Sequence, residues 1–516
     1  MQLISAKKNI VIIILLVFLQ IPFLEFAVEN LVYIDQIFKT LISLYLISII
    51  IGLLISKILN YIFSSKFNDF LLVYIIINFL VFKWHNFNLF IKPFLSSTFP
   101  FVSLSIIIIT IFTLSYLIFI RKNESTKLFV YIFFITYFIY LISQIVMFQN
   151  DNNLEKNINF KNFNNVINSK NIDKSIDKNI YLIVLDGMIS SERFEKIYLS
   201  EDIFLKHNLE SEKFKKIENI KSSYFDTGLT IGSVFNLNYI SEDYAKINLD
   251  TLYPGNLYKK NLKNNEPNLI KILNNYDYNF VWYSNYITNC RIINNNFCGD
   301  STKGKLDQFI NIYVGINFLS GSPIVAFTNK INPNLLLKLY HKKNDALKNF
   351  LNNSKFYETE GKNFFLIHSL MPHSPFVYNE NCGLVNNENN MTIGYKMNYL
   401  CAVKRIKEFQ NYILSKDRDA VVVIQSDHGY FFRDNAIYNK RNDKDEFVQM
   451  LFEKNKKELI DNYNILTIIK KNECEFPKGI ILDNVNSIIF ALNCALNENL
   501  AYKNKKTFYG YNKILK

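Results

Sequence analysis

Apolar runs at 9–28, 39–60, 69–84, 101–120 and 128–148 set the first 150 residues apart from the rest of this 516-residue chain. A stretch of about 20 apolar residues matches the hydrocarbon thickness of a bilayer. The chain is therefore expected to form an N-terminal α-helical membrane domain of about five spans over 1–148. The third run, DFLLVYIIINFLVFKW, is the shortest. The first is too long for a signal h-region and has no small-residue cleavage site behind it, so it reads as a retained span.

Loop charge sets the expected orientation. With the N-terminus inside, Lys7, Lys8, Lys57, Lys66, Arg121, Lys122 and Lys127 lie on the cytoplasmic side, against Lys39, Lys83 and Lys92 opposite. Five spans then put everything after residue 149 outside the cytoplasm, whereas four would put it inside. The cysteines favour outside. Cys290, Cys298, Cys382, Cys401, Cys474 and Cys494 all follow the apolar region, an even set that fits disulfides in an oxidising compartment. Cys290 and Cys298 are the closest candidates for a pair. Glu25, near the outer end of the first span, reads as a hydrated interfacial acid.

Residues 149–178 are polar and read as a linker. From 179 to 516, short apolar strands alternate with amphipathic segments, the pattern of an α/β domain with a mostly parallel sheet. The net charge of +13 comes from lysines scattered among asparagines. With no nucleic-acid-binding motif present, no nucleic-acid partner is expected.

Three strands of this domain end in groups that carry chemistry. IYLIVLDG (180–187) ends in Asp186, KNFFLIH (362–368) runs through His368 into SLMPHSP with His373, and AVVVIQSDHG (420–429) ends in Asp427 and His428. Ligands collect beyond the carboxyl ends of strands in an open parallel sheet. A single Asp there usually caps a helix or makes a turn. Three such ends are harder to assign to capping, since the chain has six histidines and three of them fall in these motifs. SSYFDTGLTIGSVFNLNYI (222–240) adds Thr227, Thr230 and Ser233 around a helix start.

Together these motifs resemble the alkaline phosphatase/sulfatase superfamily over roughly 179–500. The closer resemblance is to its membrane-anchored branch of phosphoethanolamine and phosphoglycerol transferases and lipoteichoic acid synthase. IYLIVLDG resembles the first metal-ligand strand, SDHG the second, HSLMPHSPF the His-containing segment, and YFDTGLTIGSVFN the nucleophile turn. The resemblance implies an alkaline-phosphatase-like fold, with Asp186, Thr227, Asp427 and His428 as metal ligands. It implies Thr227 as nucleophile, with Thr230 and Ser233 as alternatives, and catalytic help from His373 and His368. The formylglycine signature of many sulfatases is absent, because Thr227-Gly228-Leu229-Thr230 has neither its Cys nor its Arg.

The chemistry is coherent in its own terms. A threonine hydroxyl is a poor nucleophile, and a bound dication brings its alkoxide within reach. Two carboxylates, an imidazole and a hydroxyl suit zinc, with manganese or magnesium as alternatives. The expected function is transfer of a phosphoryl-linked head group from a membrane lipid donor to an envelope glycan or lipid acceptor. The expected location is the bacterial inner membrane, multi-pass, with the C-terminal domain outside the cytoplasm. A sulfatase-like membrane hydrolase with the same site is the alternative, and a non-catalytic envelope module is a third reading that predicts no bound metal.

Overall fold

A computed structural model describes residues 15, 18–29, 34–63, 74–76, 124–155, 178–224, 227–239, 267–284, 296–298, 345–353, 362–374, 376–385, 390–430, 463–470, 472–505, 507–509 and 513–514. The chain divides into two compact units, Met1–Asn157 with Gly304–Leu336, and Ile158–Lys303 with Leu337–Lys516.

The first unit contains helices α1 (Ile21–Glu29), α2 (Ile34–Phe63) and α3 (Glu124–Glu155). Phe18, Ile21, Ile75, Phe134 and Leu141 are buried together, and the Tyr137 hydroxyl donates to Glu25 Oε1 at 2.8 Å. Glu25 is thus held by a side chain, not simply hydrated as its sequence position suggested.

Among the described residues no helix is long and apolar enough to cross a membrane. The five expected spans are not found there. The nine residues of α1 rise only about 14 Å. The run at 101–120 and most of 69–84 lie outside the described residues. The α2 and α3 helices nevertheless expose apolar rows at helical spacing, Ile42, Leu46 and Ile50 on one and Leu128, Ile132 and Ile135 on the other. Helix α3 also continues through QNDNNLE, seven residues into the segment read as a linker, because that sequence contains no Pro or Gly to stop it.

The second unit is built on a seven-stranded sheet. Its strands are β1 (Ile180–Leu185), β2 (Phe214–Lys216), β3 (Asn279–Ser284), β4 (Asn296–Cys298), β5 (Asn363–Ser369), β6 (Val421–Ser426) and β7 (Thr467–Lys470). The order is β2-β7-β6-β1-β5-β3-β4. From β6 to β4 all pairs are parallel, while β7 and β2 add an antiparallel edge.

Strand parity divides the core between two layers of helices. Ile180, Leu182 and Val184 pack with α6 (Thr227–Asn236), α7 (Asn268–Asn275) and α10 (Asn484–Leu496). Tyr181, Ile183 and Leu185 pack with α4 (Ser191–Tyr198), α5 (Ile203–His207), α8 (Ala346–Asn353) and α9 (Met391–Lys416). A sheet covered on both faces needs strands that are apolar throughout, as IYLIVL and VVVI are. Disulfides join Cys382 to Cys401 and Cys474 to Cys494. Cys290, and with it the expected pairing to Cys298, falls outside the described residues.

Candidate active site

The register of the sheet brings the strand-end residues together. Leu185 stands level with Ser426 of β6, so Asp186 and Asp427 leave neighbouring strands at the same height. On the other side of β1, Val184 is level with His368. His368 shares the parity of Phe364 and Leu366, which face the layer containing α6. Asp186, His368 and Asp427 accordingly present potential ligand atoms within 4.8 Å of one another, all three buried.

Helix α6 brings the hydroxyl. Thr227 Oγ1 donates to Asp427 Oδ2 at 2.6 Å and lies 3.3 Å from His428 Nε2. Thr230 and Ser233 turn into the buried face of the same helix. The structure thus brings Thr227 to the cluster, while the Thr230 and Ser233 hydroxyls have no hydrogen-bond partner among the described residues.

Backbone donors fix the Asp427 carboxylate. Its Oδ1 accepts from Gly187 N at 3.0 Å and from His428 N at 2.8 Å, which turns Oδ2 toward Thr227. His428 Nδ1 lies 2.7 Å from Gly429 O. A carbonyl only accepts, so Nδ1 carries a proton, and when the ring is neutral Nε2 presents a lone pair. That Nε2 sits 3.6 Å from Asp186 Oδ1 and 3.5 Å from Asp427 Oδ2.

Acceptors facing acceptors at such separations fit a shared cation. A tetrahedral ion with bonds of about 2.0–2.1 Å spaces its ligand atoms about 3.3–3.4 Å apart. The separations from Thr227 to Asp427 and His428, and from His428 to Asp186 and Asp427, run from 2.6 to 3.6 Å. The donor set fits a divalent metal. His368 is a further nitrogen beside it; burial holds its imidazole neutral, down to about 4, against the attraction of Asp427.

His373 forms part of the wall. Its backbone N–H donates to Asp186 O at 3.2 Å, its Nδ1 lies 3.0 Å from Ser374 O, and its ring is half-buried, edge-on to Tyr430. Gly187, between the metal-ligand strand and this wall, has φ +67°, and a Cβ there would meet Tyr430 Cδ2 at 3.3 Å. Sequence reading missed the groups that hold this turn. Ser426 Oγ accepts from Met188 N at 2.7 Å, and Tyr395 OH donates to Gly187 O at 2.8 Å while accepting from Ile189 N. Neither carries a local signal, since one ends a strand and the other sits within a long helix.

No family model matches the sequence, and no curated protein matches it. Among solved structures, the chain is similar to the lipoteichoic acid synthase LtaP from Listeria monocytogenes, at 15% identity over 64% of this chain and 77% of that one, TM-score 0.34. It is similar to the zinc complex of the C-terminal periplasmic domain of EptC from Escherichia coli, at 11% identity over 64% and 85%, TM-score 0.37. It is also similar to the integral membrane lipooligosaccharide phosphoethanolamine transferase A from Neisseria meningitidis, at 10% identity over 89% and 88%, TM-score 0.36.

Proposed function

We propose that the chain is a membrane-tethered, metal-dependent phosphotransferase that moves a phosphoryl-linked head group from a lipid donor to an envelope glycan or lipid through a covalent Thr227 intermediate. One observation carries the reading. A hydroxyl at the start of a helix is held 2.6 Å from a carboxylate oxygen and 3.3 Å from an imidazole nitrogen, beside a second buried carboxylate.

Asp186, Thr227, Asp427 and His428 would hold the divalent ion, zinc by donor type, with manganese or magnesium as substitutes. Such an ion, when bound, favours the alkoxide and offsets phosphoryl charge. Thr227 Oγ1 already directs its proton at Asp427 Oδ2. Its oxygen forms the new bond to phosphorus as the bond to the lipid alcohol breaks. His373, with Nδ1 engaged by Ser374 O, has Nε2 to deliver a proton to the leaving oxygen and later to receive one from the acceptor hydroxyl. His368, neutral and buried, presents a nitrogen within 4.8 Å of both carboxylates.

The exposed apolar rows of α2 and α3 support a lipid-facing first unit, since such patches mark interaction surfaces. The disulfides support a second unit outside the cytoplasm. The motif resemblance points to phosphoethanolamine or phosphoglycerol as the head group, and to the bacterial inner membrane as the location.

The test is turnover of head-group-labelled phosphatidylethanolamine and phosphatidylglycerol by the full-length protein, with Thr227→Ala in parallel. Loss of protein-bound label and a fall in turnover on the order of 10³-fold or more are expected. Unchanged turnover in Thr227→Ala would sink the nucleophile, and head-group release independent of any acceptor would identify a hydrolase.

A further inference from the structure

Among the described residues of the second unit, Asp345 and Asp483 are buried carboxylates that the proposed reaction does not use, and Asp345 is paired with Arg405. Asp483 is fully buried and caps α10, with Oδ1 accepting from Asn486 N at 3.1 Å. A cap needs a single acceptor, and a serine would supply it. The second oxygen does something else. Asp483 Oδ2 accepts from Ser223 Oγ at 2.9 Å and from Tyr239 OH at 2.8 Å.

Those two residues bracket α6, Ser223 just ahead of Thr227 and Tyr239 just past the helix end. The same junction grips the metal-ligand strand. Asn484 Nδ2 donates to Ser426 O at 2.8 Å, immediately before Asp427. Gln425 Nε2 lies 3.4 Å from both Leu482 O and Ser487 Oγ. One short stretch, 482–487, thus ties both ends of the Thr227 helix to the strand that carries Asp427. A buried carboxylate is costly unless hydrogen-bonded, and here its bonds go to the two flanks of that helix.

We infer that Asp483 is a positioning residue that, through Ser223 and Tyr239, sets Thr227 Oγ1 against Asp427 Oδ2. The inference rests on the reading of Thr227 as metal ligand and nucleophile. It makes a claim that plain structural support does not: the Ser223 and Tyr239 bonds to Asp483 act on the metal only through Thr227.

A double-mutant cycle on zinc affinity separates the two. Full-length wild type, Ser223→Ala/Tyr239→Phe, Thr227→Ala and the triple variant would each be titrated with zinc against a competing chelator. The Ser223→Ala/Tyr239→Phe pair and Thr227→Ala should each weaken zinc about tenfold, with the triple variant no weaker than Thr227→Ala alone. Asp483→Asn keeps the cap and should weaken zinc by less than the pair does. The inference is overturned if the losses multiply in the triple variant, or if the pair and Asp483→Asn both bind zinc as wild type does. The underlying functional reading fails by a different pattern: Thr227→Ala with wild-type zinc affinity and undiminished phosphoryl labelling.

Discussion

The two ends of the central sheet both bury polar groups, and they use them in opposite ways. At the amino ends of the strands, donors meet acceptors. Asp417 Oδ2 accepts from Asn179 Nδ2 at 2.8 Å and from Tyr181 OH at 2.9 Å, and Asn179 Oδ1 accepts from Asn363 N at 2.8 Å. The fully buried Lys470 spends its ammonium on Arg418 O, Ala420 O and Asn472 Oδ1, at 2.7, 2.7 and 2.6 Å. At the carboxyl ends, Asp186, Asp427 and His428 turn acceptor atoms toward one another. Matched buried groups hold a fold together; converging acceptors ask for a cation.

This contrast makes mutations at the two ends separable. Asp427→Asn should have the largest effect on function, abolishing zinc binding and lowering turnover on the order of 10³-fold or more. It should not destabilise the metal-free protein, because the amide keeps the Oδ1 contacts and offers a donor to His428 Nε2. Zinc titration and thermal melts after chelation check both halves.

Lys470→Met should do the reverse. Removing three donors from buried acceptors should cost about 2–3 kcal/mol in urea unfolding, with zinc affinity unchanged. The pH dependence has a definite sign. Burial pulls the Lys470 ammonium down to about 8 from its ordinary 10.5. Between those values the unfolded chain holds more protons than the folded one, so stability due to this residue rises with pH. The margin of wild type over Lys470→Met should therefore widen between pH 7.5 and 9.5.

Gly187→Ala is the smallest and the sharpest for geometry. Its positive φ makes alanine strained by about 1–2 kcal/mol, and the new Cβ presses on Tyr430 beside His373 and His428. Stability should fall modestly and zinc should bind more weakly. Unchanged zinc affinity would mean that the turn after β1 does not set the site.

The strand-end residues were legible because their signals are local. An apolar run that stops at Asp-Gly or Asp-His-Gly announces both the strand and the polar group beyond it, and β1, β5 and β6 form where IYLIVL, NFFLIHS and VVVIQS lie. The choice among Thr227, Thr230 and Ser233 was not legible from the residues alone. All three share one ten-residue helix, and the contact of Thr227 Oγ1 with Asp427 comes from a strand end 200 residues away. The antiparallel edge escaped notice because TIIK is four residues long, too short to separate from a loop. Asp483 lies 260 residues from its partner Ser223. Long-range hydrogen bonds of this kind leave no periodicity to read.

The central claim is that the converging acceptors hold a metal and that Thr227 carries the transferred group. It is tested most directly by metal analysis and peptide mass mapping of one full-length sample, acid-quenched during turnover of phospholipid. The account predicts a bound divalent ion and a phosphoryl-linked head group on Thr227. Turnover by metal-free protein, or modification of Thr230 or Ser233 in place of Thr227, would contradict it.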